Sequence, residues 1–333
     1  MKASKSHLNG LFEKFNELTI LIIGDVMIDS YYWGKVDRIS PEAPVPIVAV
    51  EKKESRLGGA ANVALNVKAM GATPILCSVI GADNDGKELI ALTKENGQTA
   101  EGLIQSNNRR TTKKTRIIGN NHQMLRIDGE DLHDLNDSEE AIFYENIELI
   151  INSRKVDAII FEDYDKGSIT PSLIKKVVNL ANEKSIPTSV DPKKNNFTNY
   201  HHVTLFKPNL KELKEGLKVD FNHRNQEELE AAIATLEQTL ENKNTLITLS
   251  ELGVFINSPK AKHHIRAHHR DITDVSGAGD TVISVATLCL VLNQDPEMIA
   301  ELSNLAGGLV CENVGVVPVD KAELLEEAIR LFV

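Results

Sequence analysis

The residues best suited to chemistry lie in one short run near the C-terminal end of the chain, Asp274-Val-Ser-Gly-Ala-Gly-Asp-Thr281. Gly277 and Gly279 flank Ala278 at the start of a predicted apolar helix. The first N–H groups of a helix have no partner within it, and together with the helix dipole they can hold an anion. The run therefore predicts phosphoryl transfer, with backbone amides holding the phosphate and Asp280 accepting a hydroxyl proton. An acid here can also merely stabilise the helix, but that requires only one polar residue.

A second group of polar residues follows the first predicted strand. Asp25 and Asp29 come where that strand ends, and sheets of alternating strands and helices bind ligands at the carboxyl ends of their strands. Gly58, Gly59 and Asn62 then open a helix with a glycine pair and a side-chain amide. This set suits the hydroxyls of a sugar, although an Asp after a strand is equally common as a turn former.

A third group is the run Asn209-Leu210-Lys211-Glu212, which follows a predicted strand. An Asn with a Glu three residues later is the pattern of a helix capping box. The same polar groups could instead position a hydrated Mg²⁺ beside a nucleotide. Both interpretations remain open at the level of the sequence.

Several basic residues fall near predicted strand ends or in β-rich stretches. In an acidic protein, cations gathered at a cleft indicate a phosphorylated substrate, and ordinary surface charge is the alternative. These residues are Arg38, Arg116, Arg126, Lys166, Lys193 and Lys194.

Composition limits the class of protein. The chain has 333 residues, 41% of them hydrophobic and 26% charged, with a net charge of −11, which argues against nucleic-acid binding. No apolar run approaches the roughly 18 residues of a membrane span. The three cysteines have no metal-binding spacing and are expected to be reduced core residues, so we expect a cytoplasmic protein. The pairs His263-His264 and His268-His269 lack a third ligand for zinc and indicate an exposed strand with polar ends.

The elements that must position these residues alternate between strand and helix, which predicts a mostly parallel sheet with helices on both faces. The predicted strands are Thr19 to Ile23, Thr73 to Ile80, Val156 to Phe161, Ile186 to Val190, Val203 to Phe206 and Thr245 to Leu249. The predicted helices are Ala60 to Met70, Gly86 to Asn96, Ser138 to Ile151, Pro171 to Lys184, Gln226 to Leu240, Gly277 to Leu292, Glu297 to Glu312 and Lys321 to Phe332.

Two stretches interrupt this alternation, at about residues 31–51 and 111–128. The first is rich in proline and ends in a short strand, and the second has two β-rich runs joined by Gly119-Asn120-Asn121, which predicts a hairpin. We expect the two stretches to pair as a small accessory sheet that serves as a lid or a dimer contact.

In these motifs the chain resembles the ribokinase-type (phosphofructokinase-B) carbohydrate kinases, from about residue 16 to about residue 320. The resemblance rests on Gly58-Gly-Ala-Ala-Asn62, Gly81-x-Asp83-x-x-Gly86, Asn209-x-x-Glu212 and the run from Asp274 to Thr281. Longer matches resemble the subfamily that phosphorylates D-glycero-β-D-manno-heptose 7-phosphate. They are Gly24 to Asp29, Trp33-Gly34, Arg38 to Pro46, Arg56 to Ala64 and Val190 to Lys193.

This resemblance implies a single kinase domain over residues 1–333, built as a three-layer α/β sandwich with a small β-sheet lid. It implies ATP and Mg²⁺ as cofactors with a monovalent cation as an optional third, and a homodimer formed through the accessory sheet. The reaction would phosphorylate the anomeric O1 of heptose 7-phosphate to give the 1,7-bisphosphate, a precursor of ADP-heptose for lipopolysaccharide.

The resemblance also assigns site residues. Asp280 would be the catalytic base beside Gly277, Ala278 and Gly279, and Glu212 would hold Mg²⁺ through water. The nucleotide would contact Asn209, Leu210, Lys211, Glu212, Thr248, Ser250, Glu251, Gly253 and Asn304. The sugar phosphate would contact Asp29, Arg38, Gly58, Gly59, Asn62, Arg116, Asp163, Lys166 and Lys193.

The chain departs from the subfamily in one segment. Where the subfamily usually has Ser-Asp-Tyr-Gly-Lys-Gly, this chain has Glu162-Asp-Tyr-Asp-Lys-Gly167. A kinase for another sugar or sugar phosphate is therefore an alternative, and a non-catalytic sugar- or nucleotide-binding regulator is a second. The chain also has no H-x-G-H nucleotidyltransferase motif, so we expect adenylyl transfer to need a separate protein.

Overall fold

Residues 3–268 and 270–333 are described by the structure, which is a computed structural model. Its strands are β1 (Thr19–Gly24), β2 (Val26–Ile39), β3 (Pro46–Gly59), β4 (Thr73–Gly81), β5 (Gly102–Ser106), β6 (Lys113–Gly119), β7 (His122–Gly129), β8 (Ala158–Glu162), β9 (Thr188–Asp191), β10 (Leu205–Phe206), β11 (Asn244–Thr248), β12 (Val254–Asn257) and β13 (Lys262–Ile265).

Its α-helices are α1 (Lys5–Phe15), α2 (Ala60–Ala69), α3 (Asn84–Glu95), α4 (Asp137–Ser153), α5 (Pro171–Glu183), α6 (Leu210–Leu217), α7 (Gln226–Leu240), α8 (Ala278–Val291), α9 (Pro296–Val310) and α10 (Lys321–Phe332). A short 3₁₀ turn covers Ser250–Leu252. No helix in the described residues is long and apolar enough to cross a membrane.

The main sheet confirms the predicted α/β fold. Its nine strands lie in the order β13-β12-β11-β10-β9-β8-β1-β4-β5. Neighbours from β5 to β11 are parallel, and β12 and β13 add an antiparallel edge. From β1 the chain passes to β4 on one side and later to β8 on the other. The connections therefore diverge between β1 and β8, where sheets of this kind leave a crevice at the carboxyl ends of their strands.

The side chains of each strand alternate between two hydrophobic cores, which makes the fold three-layered. On β1, Ile20 and Ile22 pack with α1, α2 and α8 to α10, whereas Leu21 and Ile23 pack with α4, α5 and α7. Helix α8 lies against α2 and over β8 and β9, so its first turn meets the carboxyl ends of those strands. This packing delivers the Gly-Ala-Gly-Asp run to the crevice.

The two interrupting stretches form the predicted accessory sheet, in the order β3-β2-β6-β7. Asn120 and Asn121 both adopt left-handed backbone angles, with φ of 51° and 65°, as a tight hairpin turn requires. One part of the sheet is apolar and exposed, including Ile39, Leu125 and Ile127.

Some elements were missed at the level of the sequence. Helix α1 begins after Ser4, whose side chain accepts from the His7 N–H, and it buries Leu8, Leu11 and Phe12 against α10 and the core. Strand β5 is a short edge strand that pairs with β4, and β12 is a four-residue strand between β11 and β13, so both are too short for a clear alternating pattern. The exposed strand expected through both histidine pairs is confirmed only over β13, because the chain leaves the strand before His268, and His269 lies outside the described residues. The three cysteines are free and buried, as expected.

A matched pair of glycine substitutions tests the packing at the start of α2. Gly59 has a φ of 61°, and an added Cβ would overlap the Asp25 carbonyl oxygen. We therefore expect Gly59→Ala to lower the free energy of unfolding by about 2 kcal/mol or more. Gly10 lies within α1, and no atom lies within 4 Å of an added Cβ there. We therefore expect Gly10→Ala to raise the free energy of unfolding by about 0.5–1 kcal/mol.

Urea unfolding followed by circular dichroism measures both changes. Equal effects of the two substitutions would contradict the close approach of the Gly59 and Asp25 backbones.

Candidate active site

Asp280 is the centre of the site, because its carboxylate is buried and accepts hydrogen bonds from two directions. The Asn62 amide donates to Oδ2 at 2.7 Å, and the Tyr164 hydroxyl donates to Oδ1 at 3.0 Å. Burial raises the pKa of Asp280 to about 6, with Asp191 adding to the rise, while the Asn62 and Tyr164 hydrogen bonds oppose it. A carboxylate with this pKa is mostly ionised at pH 7 and can accept a proton.

The first turn of α8 leaves backbone donors beside Asp280. Gly277 precedes the helix with a φ of 82°, which favours glycine. The N–H groups of Gly279 and Asp280 have no acceptor among the described residues. A Cβ on Gly279 would lie 3.5 Å from an Asp191 oxygen and 3.6 Å from the Lys207 nitrogen. The absence of that Cβ leaves room for an anion to approach both the amides and the lysine.

Carboxylates from two adjacent strands face Asp280. Glu162 ends β8 and pairs in register with Asp191, which ends β9. Glu162, Asp191 and Asp280 each contribute one carboxylate oxygen to a group of three. These three oxygens lie within 4.8 Å of one another. Burial raises the pKa of Glu162 well above its usual value, and Asp191 and Asp280 raise it further. We call these three residues the carboxylate cluster.

Two lysines balance part of this negative charge. The Lys207 ammonium lies 2.7 Å from an Asp191 oxygen, and both side chains are almost fully buried. Burial opposes the charged form of Lys207, but Asp191 and Glu212 outweigh it and raise its pKa. The Lys193 ammonium lies 2.7 Å from Glu212 and 5.1 Å from the centroid of the Tyr164 ring. Cations therefore border the site on the β9 and β10 side.

Asn209 and Glu212 form a helix capping box, which is one of the two interpretations that the sequence left open. The Asn209 side chain accepts from the Glu212 N–H at 2.8 Å, and the Glu212 carboxylate accepts from the Asn209 N–H at 2.8 Å. The other Glu212 oxygen faces Lys193, so the cap also brings an acid to the border of the site. A backbone bridge pairs Asn209 with Thr248, which aligns the end of β11 with this motif.

The loop that carries Tyr164 is fixed by Asp25. One Asp25 oxygen accepts from the N–H groups of Tyr164 at 2.9 Å and Lys166 at 3.1 Å. The other accepts from the Ser168 N–H at 3.0 Å. Asp25 thus acts as a loop anchor, which agrees with the turn-former interpretation.

The structure does not bring Asp163 into the site as a sugar ligand. Its Oδ2 accepts from the Tyr200 hydroxyl at 2.8 Å and from the Asn196 amide at 3.1 Å, and its Oδ1 accepts from the Asp165 N–H. Its neighbour Glu162 faces the carboxylate cluster instead, because successive residues of an extended chain point to opposite sides. Burial and the nearby Asp25 raise the pKa of Asp163 to about 7.

Asp29 lies within β2 of the accessory sheet rather than directly at the end of β1. It accepts from Arg116 of β6 at 2.5 Å, and a Cβ on Gly58 would overlap its other oxygen. Arg116 also lies over the ring of Tyr31, at 5.2 Å. Asp29, Gly58 and Arg116 are therefore brought together as the sequence predicted, with Gly59 and Asn62 following along the chain into α2.

Other predicted residues have different surroundings. Arg38 is exposed near the far end of β2, and Lys166 pairs with Glu130 at 2.9 Å. Asn304 donates to the Arg266 carbonyl at 2.9 Å. Four of the five remaining predicted nucleotide contacts are at or near the surface, whereas Gly253 is buried, and none of their described contacts reaches the carboxylate cluster. The five residues are Leu210, Lys211, Ser250, Glu251 and Gly253.

Sequence reasoning missed Tyr164, Lys207 and Lys114 as site residues. Tyr164 lies inside the Glu162–Gly167 segment, and Lys207 directly precedes the Pro208-Asn209 run. Because these neighbouring residues were already predicted to lie at the site, their positions in the sequence could have identified both Tyr164 and Lys207. The Lys114 ammonium lies 5.9 Å from the centroid of the Tyr164 ring. Burial and the nearby Lys166 lower its pKa. Its position depends on the pairing of β6 with β2, which no local pattern encodes.

A family model described as "pfkB family carbohydrate kinase" matches residues 18–322. The chain belongs to this family. The predicted resemblance to the ribokinase-type carbohydrate kinases is therefore confirmed. This pfkB-family chain is an enzyme, a carbohydrate kinase.

Curated relatives match nearly the whole chain. The "Bifunctional protein HldE" of Caulobacter sp. strain K31 is 40% identical over 312 residues, which are 93% of this chain and 63% of that protein. The protein of the same name from Citrifermentans bemidjiense is 37% identical over 324 residues, which are 97% of this chain and 66% of that protein. The kinase thus spans about two thirds of the length of these relatives.

Solved structures share the fold. Phosphofructokinase-2 from Escherichia coli in complex with potassium superposes with a TM-score of 0.79 at 15% identity, covering 95% of this chain and 99% of that one. Ribokinase from Arabidopsis thaliana, complexed with ribose and ATP, superposes with a TM-score of 0.70 at 16% identity, covering 93% and 98%. These likenesses confirm the ribokinase-like α/β fold of this kinase.

The hydrogen bond from Tyr164 yields a prediction about the pKa of Asp280. Tyr164→Phe removes a donor to the ionised carboxylate, so the Asp280 pKa should rise above about 6. The titration can be followed by NMR of protein with ¹³C-labelled Asp carboxyl groups, with Asp280→Asn used to assign the signal.

Tyr144→Phe serves as the matched control, because the Tyr144 hydroxyl bonds to Glu148 on α4. An Asp280 pKa that is the same in wild type and Tyr164→Phe would contradict the hydrogen bond.

Proposed function

We propose that this kinase transfers the γ-phosphate of ATP to the anomeric O1 of D-glycero-β-D-manno-heptose 7-phosphate, giving the 1,7-bisphosphate. The observation that supports phosphoryl transfer is the buried Asp280 carboxylate, which lies beside the free backbone N–H groups at the start of α8. The sugar assignment is supported by the relatives named HldE and by the matched segments from Gly24 to Asp29 and from Arg56 to Ala64.

The residues present fit Mg²⁺–ATP on chemical grounds. Free backbone N–H groups at the start of α8, together with Lys193 and Lys207, suit a polyphosphate. Glu212 would hold the cation through water, and the end of β11 and Asn304 would border the nucleotide. When bound, ATP supplies the phosphoryl group, and Mg²⁺ neutralises part of its charge.

The protein's own residues perform the remaining steps. Asn62 and Tyr164 donate to the two Asp280 oxygens and fix the carboxylate, so that Asp280 accepts the proton from the attacking hydroxyl at its oxygen atoms. The α8 amides and Lys207 stabilise the negative charge that develops on the transferred group. The burial of Asp280 limits the access of water, which limits hydrolysis as a side reaction.

The accessory sheet is the proposed site for the sugar and its own phosphate. Asp29 and Asn62 would bind ring hydroxyls, and Lys114 with Arg116 would bind the 7-phosphate. Lys114 suits this role because no acid in the described residues forms a salt bridge with it, and because a bound anion would oppose the lowering of its pKa by burial and Lys166. Arg38 is exposed and Lys166 is paired with Glu130, so neither is a principal contact in this proposal.

Three further features belong to the proposal. The exposed apolar residues of the accessory sheet support a homodimer formed through that sheet. The potassium in the E. coli phosphofructokinase-2 structure supports testing a monovalent cation. A kinase for another sugar phosphate is the second candidate, and the buried Glu162 in place of the subfamily's Ser is the observation that favours it.

The role of Asp280 is tested by Asp280→Asn. The amide keeps the shape of the side chain but cannot accept the proton, so kcat should fall about 10²-fold or more while ATP binding persists. Steady-state kinetics and ATP-binding calorimetry measure the two effects. Asp295→Asn, at the start of α9, is the control, and a normal kcat in Asp280→Asn would remove Asp280 as the base.

Substrate choice is tested by comparing kcat/KM for heptose 7-phosphate, free heptose and fructose 6-phosphate. Heptose 7-phosphate should be the best substrate. Lys114→Ala should raise its KM about tenfold or more while changing the efficiency on free heptose little, since a charge-assisted contact contributes roughly 1.5–3 kcal/mol.

Lys35→Ala is the matched control, because Lys35 lies on the same sheet and pairs with an exposed Glu51. Equal efficiency on free and phosphorylated heptose would overturn the sugar assignment, and a preference for fructose 6-phosphate would favour the second candidate.

A further inference from the structure

Arg109 is a buried cation that the proposed reaction does not use. It is 8% exposed, and no acid in the described residues forms a salt bridge with it. Its guanidinium donates instead to the backbone carbonyl oxygens of His133 at 2.9 Å and Lys166 at 2.7 Å. Burial lowers the pKa of Arg109, while Asp25 and other nearby acids oppose this, and the side chain stays charged. Removing a guanidinium from water is costly, so its position needs an explanation beyond packing.

The backbone that Arg109 holds belongs to the loop between β8 and α5, residues 163–170, which we call the Tyr164 loop. Asp25 fixes one side of this loop by accepting from three of its N–H groups. Arg109 fixes the other side, because it is a donor to the Lys166 carbonyl. The two residues therefore hold the loop through complementary backbone groups.

The Tyr164 loop lies directly against the segment that precedes α4. Gly167 has a φ of 83°, and an added Cβ would overlap the His133 carbonyl oxygen. The Leu135 N–H donates to the Gly167 carbonyl at 3.0 Å. A single nitrogen of Arg109, Nη2, donates to the carbonyls of both His133 and Lys166, so it joins the two segments at one point.

The backbone of Arg109 is itself fixed by the run Gly81-x-Asp83-x-x-Gly86, which the proposed reaction also leaves without a role. A Cβ on Gly81 would lie only 2.7 Å from the Arg109 carbonyl oxygen. The Asp83 carboxylate accepts from the Thr111 N–H at 2.9 Å and from the Thr111 hydroxyl at 2.8 Å. The run thus fixes the connection between β5 and β6, from which Arg109 extends.

We infer that Arg109 is a positioning residue for phosphoryl transfer, because it holds the Tyr164 loop where the Tyr164 hydroxyl donates to Asp280. That hydroxyl lies 3.0 Å from Oδ1 of Asp280, and Tyr164 is two residues from the carbonyl that Arg109 binds. Arg109 has no described hydrogen bond to Asp280, so it acts through the loop. A displacement of about 1 Å in a catalytic site can lower the rate about 10²-fold. The inference rests on the proposed role of Asp280 as the base.

Arg109→Met tests this role, because methionine retains much of the side-chain length but has no donor. The pKa of Asp280 should rise, as in Tyr164→Phe, because the ionised carboxylate loses a hydrogen bond. At pH 7 kcat should fall about tenfold or more, while the KM for ATP changes little. NMR of ¹³C-labelled Asp carboxyl groups and steady-state kinetics measure the two effects.

The double variant Arg109→Met/Tyr164→Phe separates positioning from the loss of a positive charge. If Arg109 acts through Tyr164, the pKa of Asp280 should be the same in the double variant as in Tyr164→Phe. Loss of charge alone would raise that pKa equally with and without the hydroxyl, so additive effects would overturn the inference. Arg110→Met is the matched control, since the Arg110 side chain is exposed and pairs with Asp131. It should have the wild-type kcat and Asp280 pKa.

Arg109→Lys protects the test against a variant that folds poorly. Lysine keeps the buried charge and a donor for a carbonyl, so the Asp280 pKa should lie between those of wild type and Tyr164→Phe. A wild-type Asp280 pKa in the folded Arg109 variants, or in Tyr164→Phe, would overturn the positioning role. Neither result would affect phosphoryl transfer itself, whereas a normal kcat in Asp280→Asn would remove the base and leave the NMR comparison intact.

Discussion

The structure depends on the cost of burying charge at the carboxyl ends of its parallel strands. Glu162, Asp191 and Asp280 are almost fully removed from water, and Lys207 is buried with them. Such a group is stable only where hydrogen bonds and opposite charges meet it from every element around it. Asn62 from α2 and Tyr164 from the loop after β8 meet that requirement for Asp280, and Lys207 from the end of β10 meets it for Asp191. Each therefore links the site to a different part of the fold.

The same constraint explains why the site lies where it does. Strands β1 and β8 are neighbours at the point where the connections diverge, so no crossover helix covers the crevice between their ends. Helix α8 closes the crevice with its amino end rather than its side, which brings free N–H groups and the positive end of its dipole to the acids. Burial then raises the pKa of Asp280 to a range in which a carboxylate can exchange a proton near neutral pH.

The accessory sheet supplies what the main sheet lacks. The main sheet offers acids and phosphate-binding groups, whereas β2 and β6 contribute Asp29, Lys114 and Arg116. The long strands β2 and β3 extend directly from the main sheet and return to α2, so the accessory sheet is anchored at both ends beside the site. This connection places an apolar, exposed surface and a polar, site-facing surface on one small sheet.

The sequence by itself determined the fold class, most helices and the residues of the main motifs. The spacing of apolar residues fixes helices such as α7 and α10 locally, and a glycine-rich run followed by Asp280 has few other uses. It also contained the pattern of the Asn209–Glu212 capping box, because a cap forms within one turn, although the same pattern left a Mg²⁺ site open. Tertiary structure decided the rest. The strand pairing of β2 with β6 brings Lys114 and Arg116 to the site, and the register of β8 with β9 sets Glu162 against Asp191. The direction of each side chain in a strand depends on that pairing, which is why Glu162 faces the cluster and Asp163 does not. Contacts between residues more than a hundred positions apart, such as Asn62 with Asp280, arise from packing of whole elements and leave no local pattern.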